Sequence, residues 1–258
     1  MHPCAIIPAY RAPRTIAEVV RETRNLWPVP NAVFVVDDGS GDETPTLARA
    51  AGANLLEHSG NRGKGAALRT GMVHALKLGF DVAVTLDADA QHPPAEAVRL
   101  ALADIDPNTL VLGIRDLIGA GAPRPNQISN RISNFFLSLF TGKNLADTQC
   151  GLRRYPIAAT LALGGRDDGY AFEAEIIIRA LAAGMPIVEL PIDVIYPPAQ
   201  ERVTHFDSVR DPARIIRRVL GTIADVRMFP IHLPPPIRSP LSSIKVPRDS
   251  SPEPIADL

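Results

Sequence analysis

Asp87 and Asp89 stand one residue apart in "LDADAQHPP" (86–94), at the end of an apolar run. Two carboxylates in that arrangement suit a hard divalent cation, which takes oxygen ligands at ~2.0–2.6 Å and keeps positions open for phosphate oxygens. Alternate residues of a strand face the same side, so a strand running through 81–89 would aim both carboxylates in one direction. The blander reading is a strand-ending turn that caps the helix starting at Pro93-Pro94. The same spacing recurs at Asp104-Ile105-Asp106. That pair follows a helical stretch and precedes Pro107, which is ordinary turn chemistry.

Two further segments carry residues suited to a nucleotide. "VVDDGSGDET" (35–44) sets Asp37 and Asp38 before a Gly-Ser-Gly turn. Acids there can accept hydrogen bonds from a nucleobase N–H or from ribose hydroxyls. The segment also reads as a turn in which Asp42 or Thr44 caps the next helix. "SGNRGKGAALRTG" (59–71) is glycine-rich and basic and opens a helix, a candidate diphosphate cradle containing Arg62 and Lys64. It is neither a Walker A loop nor GxGxxG.

The elements that must position these residues follow from hydrophobic periodicity. Short apolar runs at 4–10, 32–38, 53–58, 81–89 and 109–115 read as strands, with helical stretches near 14–26, 43–51, 64–79 and 94–103. Near-continuous apolar strands alternating with amphipathic helices predict a doubly wound, Rossmann-like, mostly parallel α/β sheet with flanking helices. Such sheets bind ligands beyond the carboxyl ends of their strands. Tyr10, Asp37 with Asp38, Asp87 with Asp89, and Arg115 all fall there. The second half is less regular: helices near 127–141 and 171–183, a strand at 186–196, and an amphipathic helix at 213–226. From Pro230 the composition turns to proline and serine, the signature of a disordered tail. The expected division is one domain over 1–228, with a donor half to about 115 and an acceptor half from 116, followed by a tail at 229–258.

Composition bounds the function. With 258 residues and 46% apolar content the chain can bury one sizeable core. A net charge of −1 gives no general attraction for nucleic acid. Cys4 and Cys150 are too few for a disulfide framework and read as reduced core residues of a cytoplasmic protein. No signal peptide is legible, because Arg11 interrupts the first apolar stretch, and no window reaches the ~18 apolar residues of a membrane span.

Taken together, "IIPAYRA" (6–12), "VVDDGSGDET" (35–44), "NRGKGAALRTGM" (61–72), "LDADAQHPP" (86–94), "GIR" (113–115), "DTQCGLR" (147–153) and "FEAEI" (172–176) resemble family 2 glycosyltransferases of GT-A fold. The resemblance is to the dolichyl- or polyprenyl-phosphate mannose or glucose synthases and covers roughly residues 4 to 195. It implies that Pro8, Ala9, Tyr10, Asp37 and Asp38 hold a nucleotide-sugar, with Arg62, Lys64 and Ala88 near it. It also implies that Asp87, Asp89 and Gln91 bind Mg²⁺ or Mn²⁺ on the diphosphate, with Asp89 in the catalytic set. Arg115 and Arg131 would take the phosphate of a polyprenyl phosphate acceptor, an arginine fork being suited to phosphate oxygens; Ser133 and Asn134 would assist. Arg131 also reads as a solvated helix position.

The mechanism implied is an inverting, in-line displacement at the cytoplasmic membrane face. A phosphate acceptor, largely ionised with a second pKa near ~6, needs no strong base. A hydroxyl acceptor would need one; Asp147 and Glu173 are the candidates, each equally readable as a structural partner, for example of Arg153. The pattern departs after 196, where "PPAQERVTHFDSVRD" offers Arg202 and His205 as diphosphate contacts or as plain surface loop. The 213–226 helix reads either as a membrane-surface element or as packing on the domain. A soluble, glycan or protein acceptor, a non-catalytic nucleotide-sugar-binding homologue, and a nucleotidyltransferase remain alternatives. The last would need a glycine-rich loop where Pro8-Ala9-Tyr10 stands.

Overall fold

A computed structural model describes residues 1–196 and 210–237, with side chains for 1–196 and 217–237. Four strands in the first half, β1 (Pro3–Ala9), β2 (Val33–Asp37), β3 (Asn54–Glu57) and β4 (Val82–Thr85), pair in parallel. β5 (Leu110–Arg115) pairs in parallel with β7 (Ile187–Ile192). β6 (Arg153–Pro156) lies between β4 and β5, antiparallel to both. The seven-stranded sheet runs β3-β2-β1-β4-β6-β5-β7.

Helices cover the sheet: α1 (Ile16–Leu26), α2 (Thr44–Ala50), α3 (Lys64–Lys77), α4 (Pro94–Leu102), α5 (Arg124–Thr141), α6 (Ile157–Ala162), α7 (Ala171–Ala182) and α8 (Arg210–Met228). β2 and β4 are buried at every position, as parallel strands covered on both faces must be. One core cluster extends from Cys4 to Val219. The mostly parallel α/β architecture is the expected one.

Two local expectations are corrected, and a choice left open is decided. β4 ends at Thr85 and does not reach Asp89. Its pairing with β6 stops at Thr85, whose Oγ1 donates to Gly151 O at 2.7 Å, and the chain then turns through Ala90 at φ 61°. A turn, and not strand alternation, therefore brings Asp87 and Asp89 together.

The second correction is β6 and α6, which no periodicity predicted. Arg153 and Arg154 are both fully buried. Arg153 donates to Cys150 O, Thr148 O and Glu173 O at 2.7–2.9 Å. Arg154 donates to Leu100 O, Ala103 O, Ile105 O and Asp106 O, satisfying carbonyls at the end of α4 and in the turn after it.

The choice left open concerns α8, whose apolar side turns inward. Val219 and Thr222 are buried, Asp225 pairs with Arg179 at 2.8 Å and Arg218 with Asp167 at 3.0 Å. The helix packs on the domain, against α7, and the membrane-surface reading of it falls. Most of the segment expected to be disordered lies outside the described residues. Within its described part, Ile231 and Leu233 pack on the core and Ile237 N–H donates to Asn108 Oδ1 at 2.6 Å.

Candidate active site

Lys64 opens α3 and places its Nζ 2.7 Å from Asp87 Oδ1 and 3.1 Å from Glu173 Oε2 of α7. Burial works to raise the Asp87 carboxyl, but Lys64, backed by His92 and Arg115, outweighs it and holds the group at about 2. The Lys64 ammonium is likewise held charged: burial opposes it, and the two carboxylates more than compensate. Gly151 explains itself here. A Cβ at that position would come within 2.3 Å of Asp87 Oδ2, so only glycine lets the Asp87 carboxylate lie against the start of β6.

Asp89 is in the same turn, with Oδ1 accepting the Gln91 N–H at 3.0 Å. Burial, and then the negative charge of Asp87, push its carboxyl up to about 6. Thr15 Oγ1 donates to Ala88 O at 2.5 Å, and Gln91 O accepts the Ile195 N–H at 2.9 Å. The turn is therefore fixed from α1 on one side and from the segment after β7 on the other. Behind it, His92 is buried, with Nδ1 3.8 Å from Asp87 Oδ2 and no hydrogen bond, and Nε2 3.7 Å from Cys150 Sγ. Burial lowers the imidazole to about 4, so His92 is neutral at pH 7.

Asp87 and Asp89 are close enough for one charge to disfavour the other, and Lys64 pairs directly with the first. The residual negative charge and the hard oxygen donors fit a divalent cation, with Gln91 beside them. Among the described residues no group of three or more His, Cys, Asp or Glu side chains could hold a metal unaided.

Arg115 ends β5. Its Nε and Nη2 donate to Asp147 Oδ2 and Oδ1 at 2.7 and 3.0 Å, and its backbone N–H to Oδ2 at 3.2 Å. Asp147 is fully buried. This bidentate clamp sets the guanidinium plane and leaves Nη1 without a hydrogen bond among the described residues. Asp147 therefore pairs with Arg115 and not with Arg153. Tyr196, half-buried just beyond β7, feels the charges of Arg115 and Asp89, and burial raises its phenol. The strand-end rule applied to the last strand would have found it.

Asp37 and Asp38 are buried at the end of β2. Asp37 accepts the Ser40 N–H at 3.0 Å and the Ser40 hydroxyl. Asp38 accepts the N–H groups of Arg62 and Gly63 at 2.9 and 2.7 Å and His58 Nδ1–H at 2.7 Å. His58 Nε2 in turn meets Thr70 Oγ1 at 2.9 Å. This network, invisible in the sequence, ties β2 to the loop opening α3. The glycines of that loop have a packing reason: a Cβ on Gly63 or Gly65 would come within 2.2 or 2.4 Å of the Asp168 or Asp167 carbonyl. Ala66 N–H, one of the first amides of α3, donates to Asp168 O at 3.1 Å.

Pro8 and Ala9 end β1, and Tyr10 follows with the Arg11 guanidinium 5.2 Å over its ring. Arg62 is exposed. Arg131 is exposed on α5, and no contact joins it to Arg115 or Asp89 among the described residues. Ser133 and Asn134 are used in packing: they bind Thr148 and Ala146 O and hold α5 to the turn carrying Asp147. Arg202 and His205 lie outside the described residues. Asp106 Oδ1 accepts the Asn108 N–H at 2.8 Å, so the second Asp-x-Asp is a turn.

The profile described as "Glycosyl transferase family 2" matches residues 4–159. The undecaprenyl-phosphate mannosyltransferase of Micrococcus luteus is 30% identical over 206 residues, covering 76% of this chain and 84% of that one. The UDP-N-acetylglucosamine–dolichyl-phosphate N-acetylglucosaminyltransferase of Methanococcus voltae is 28% identical over 219 residues, covering 74% and 84%. Glucosyl-3-phosphoglycerate synthase from Mycobacterium tuberculosis, solved with Mn²⁺, UDP and phosphoglyceric acid, shares the GT-A fold. Its TM-score is 0.65 at 19% identity, covering 89% of this chain and 79% of that one.

Proposed function

The chain belongs to glycosyl transferase family 2 and is a glycosyltransferase, and from that premise we propose that it moves a hexose from a nucleotide-sugar of GDP-mannose or UDP-glucose type to a polyprenyl phosphate. Relatives that act on undecaprenyl and dolichyl phosphates support the acceptor class. The observation that carries the choice is the state of the two candidate bases. Both Asp147 oxygens are held by Arg115, and Glu173 is buried against Lys64. Neither is available to deprotonate a hydroxyl acceptor, whereas a phosphate monoester arrives already ionised.

In this reading the acceptor phosphate oxygen attacks the anomeric carbon from the face opposite the diphosphate. The new C–O bond forms as the bond to the leaving diphosphate breaks, with inversion. Asp147 presets Arg115, whose Nη1 meets the acceptor phosphate; Arg131 and Arg202 are further cationic contacts. Pro8, Ala9, Tyr10, Asp37 and Asp38 border the nucleoside, with Arg62, Lys64 and Ala88 toward the diphosphate. A Mg²⁺ or Mn²⁺ held by Asp87, Asp89 and Gln91 would supply charge neutralisation on the leaving group. Residues 1–228 form the catalytic unit, working at the cytoplasmic membrane face. Incubation of the full chain with radiolabelled sugar nucleotides, polyprenyl phosphate and Mg²⁺ or Mn²⁺ should give an organic-extractable product that EDTA abolishes. Absence of that product with every common donor overturns the reading.

A further inference from the structure

Between residues 128 and 140, every exposed side chain of α5 except Arg131 is large and apolar: Ile128, Ile132, Phe135, Phe136, Leu139 and Phe140. Leu139 and Phe135 are 63% and 61% exposed. With successive residues ~100° apart, this stripe lies opposite Asn130 and Leu137, the two positions α5 buries. The helix is thus amphipathic in the reverse sense, apolar toward solvent. Exposed apolar patches of this kind mark docking surfaces.

Charge points to the occupant. From Leu117 to Ala146 the chain contains no acidic residue, and Arg124 and Arg131 flank the stripe, both exposed. In a chain of net charge −1 that segregation is local. A second copy would bring the same cations against each other. An apolar stripe bordered by arginines matches the surface of an anionic bilayer, with apolar side chains among the acyl chains and guanidinium groups at the headgroups. Among the described residues no helix is long and apolar enough to cross a membrane, so contact through this face would be from the surface.

We propose that the 128–140 face of α5 seats the protein on an anionic lipid leaflet. The same helix grips the 146–149 turn through Ser133 and Asn134, and Asp147 of that turn clamps Arg115. Docking therefore brings the turn that clamps Arg115 to the leaflet that would carry a lipid-borne phosphate. This last step rests on the polyprenyl phosphate reading; the docking does not.

The test is cosedimentation of the full chain with phosphatidylcholine vesicles with and without phosphatidylglycerol. The wild type should pellet with the anionic vesicles only. Phe135→Ser/Leu139→Ser should lower that partition about tenfold or more. Leu220→Ser, an equally exposed apolar position on α8, should leave it unchanged. Transfer to a water-soluble short-chain prenyl phosphate should survive the double substitution, which reports that the fold is intact. Equal partition of the double variant and wild type overturns the proposal, as does a wild-type dimer that the double variant breaks while neither binds vesicles. If the wild type binds anionic vesicles yet glycosylates no prenyl phosphate, the acceptor reading fails and the docking face stands.

Discussion

β2 and β4 flank β1, and each is followed by a pair of aspartates, but the two pairs are neutralised in different ways. Asp37 and Asp38 are satisfied by chain within 26 residues: Ser40, His58 and the N–H groups of Arg62 and Gly63. Asp87 depends on Lys64 from α3, which is shared with Glu173 of α7, while among the described residues Asp89 accepts the Gln91 N–H. The first pair is built into a hydrogen-bonded scaffold. The second keeps a surplus of negative charge that costs the fold something. Buried groups left short of partners in a folded chain mark positions kept for a ligand.

Removing the cation of the second pair has the largest expected effect. Lys64→Met leaves Asp87 and Glu173 facing each other without compensation and should cost about 3 to 5 kcal/mol at pH 7 in urea unfolding. A loss below about 1 kcal/mol would mean that Lys64 does not neutralise the pair. Next, Asp89→Asn should cut kcat/KM by about 10² to 10³, the scale of losing one preorganised electrostatic group, with no loss of stability. Asp38→Ala should do the reverse of that in stability, costing about 2 kcal/mol as Arg62, Gly63 and His58 lose their acceptor. Equal stability of Asp38→Ala and wild type would erase the contrast between the pairs.

The pH profile separates the two acids of the second pair, whose contributions have opposite signs. Asp87 is held at about 2, below its ordinary 3.8. Its contribution to stability is present above 3.8 and is lost as pH falls through 2. Asp89 is raised to about 6, so its cost to the metal-free fold is absent below 3.8, grows up to 6 and is constant above. Metal-free Asp89→Asn should therefore be more stable than wild type at pH 7 and indistinguishable from it near pH 4. Mn²⁺ binding should release a proton below pH 6 and weaken toward tenfold per pH unit. Calorimetry in buffers of different ionisation enthalpy reads that proton.

Much of this was legible in the sequence because it is local. The strands that end at Asp37, at Thr85 just before Asp87, and at Arg115 are short apolar runs, and polar residues at their carboxyl ends announced the site. Asp104-Ile105-Asp106 was separable from Asp87-Ala88-Asp89 by position alone. What stayed hidden is non-local. Nothing near Lys64 foretells Glu173, 109 positions away, and nothing near Arg115 foretells its clamp by Asp147. β6 was unreadable because Arg153 and Arg154 are buried on backbone carbonyls, a solution that leaves no periodicity. The end of β4 was misplaced for the same reason, since its length is set by pairing with β6.

The antiparallel insertion of β6 between β4 and β5 also sets the order in which the molecule can be assembled. β4 and β5 emerge early in synthesis, but neither has a neighbour on its facing side until residues 153–156 arrive. Until then the first half carries open sheet edges, the kind of surface that pairs with other chains. Asp147 on Arg115 and Gly151 against Asp87 lie just before that strand, and Glu173 on Lys64 comes after it. The first half is consequently made first and made incomplete, and acquires its charge balance only when the later chain closes the sheet.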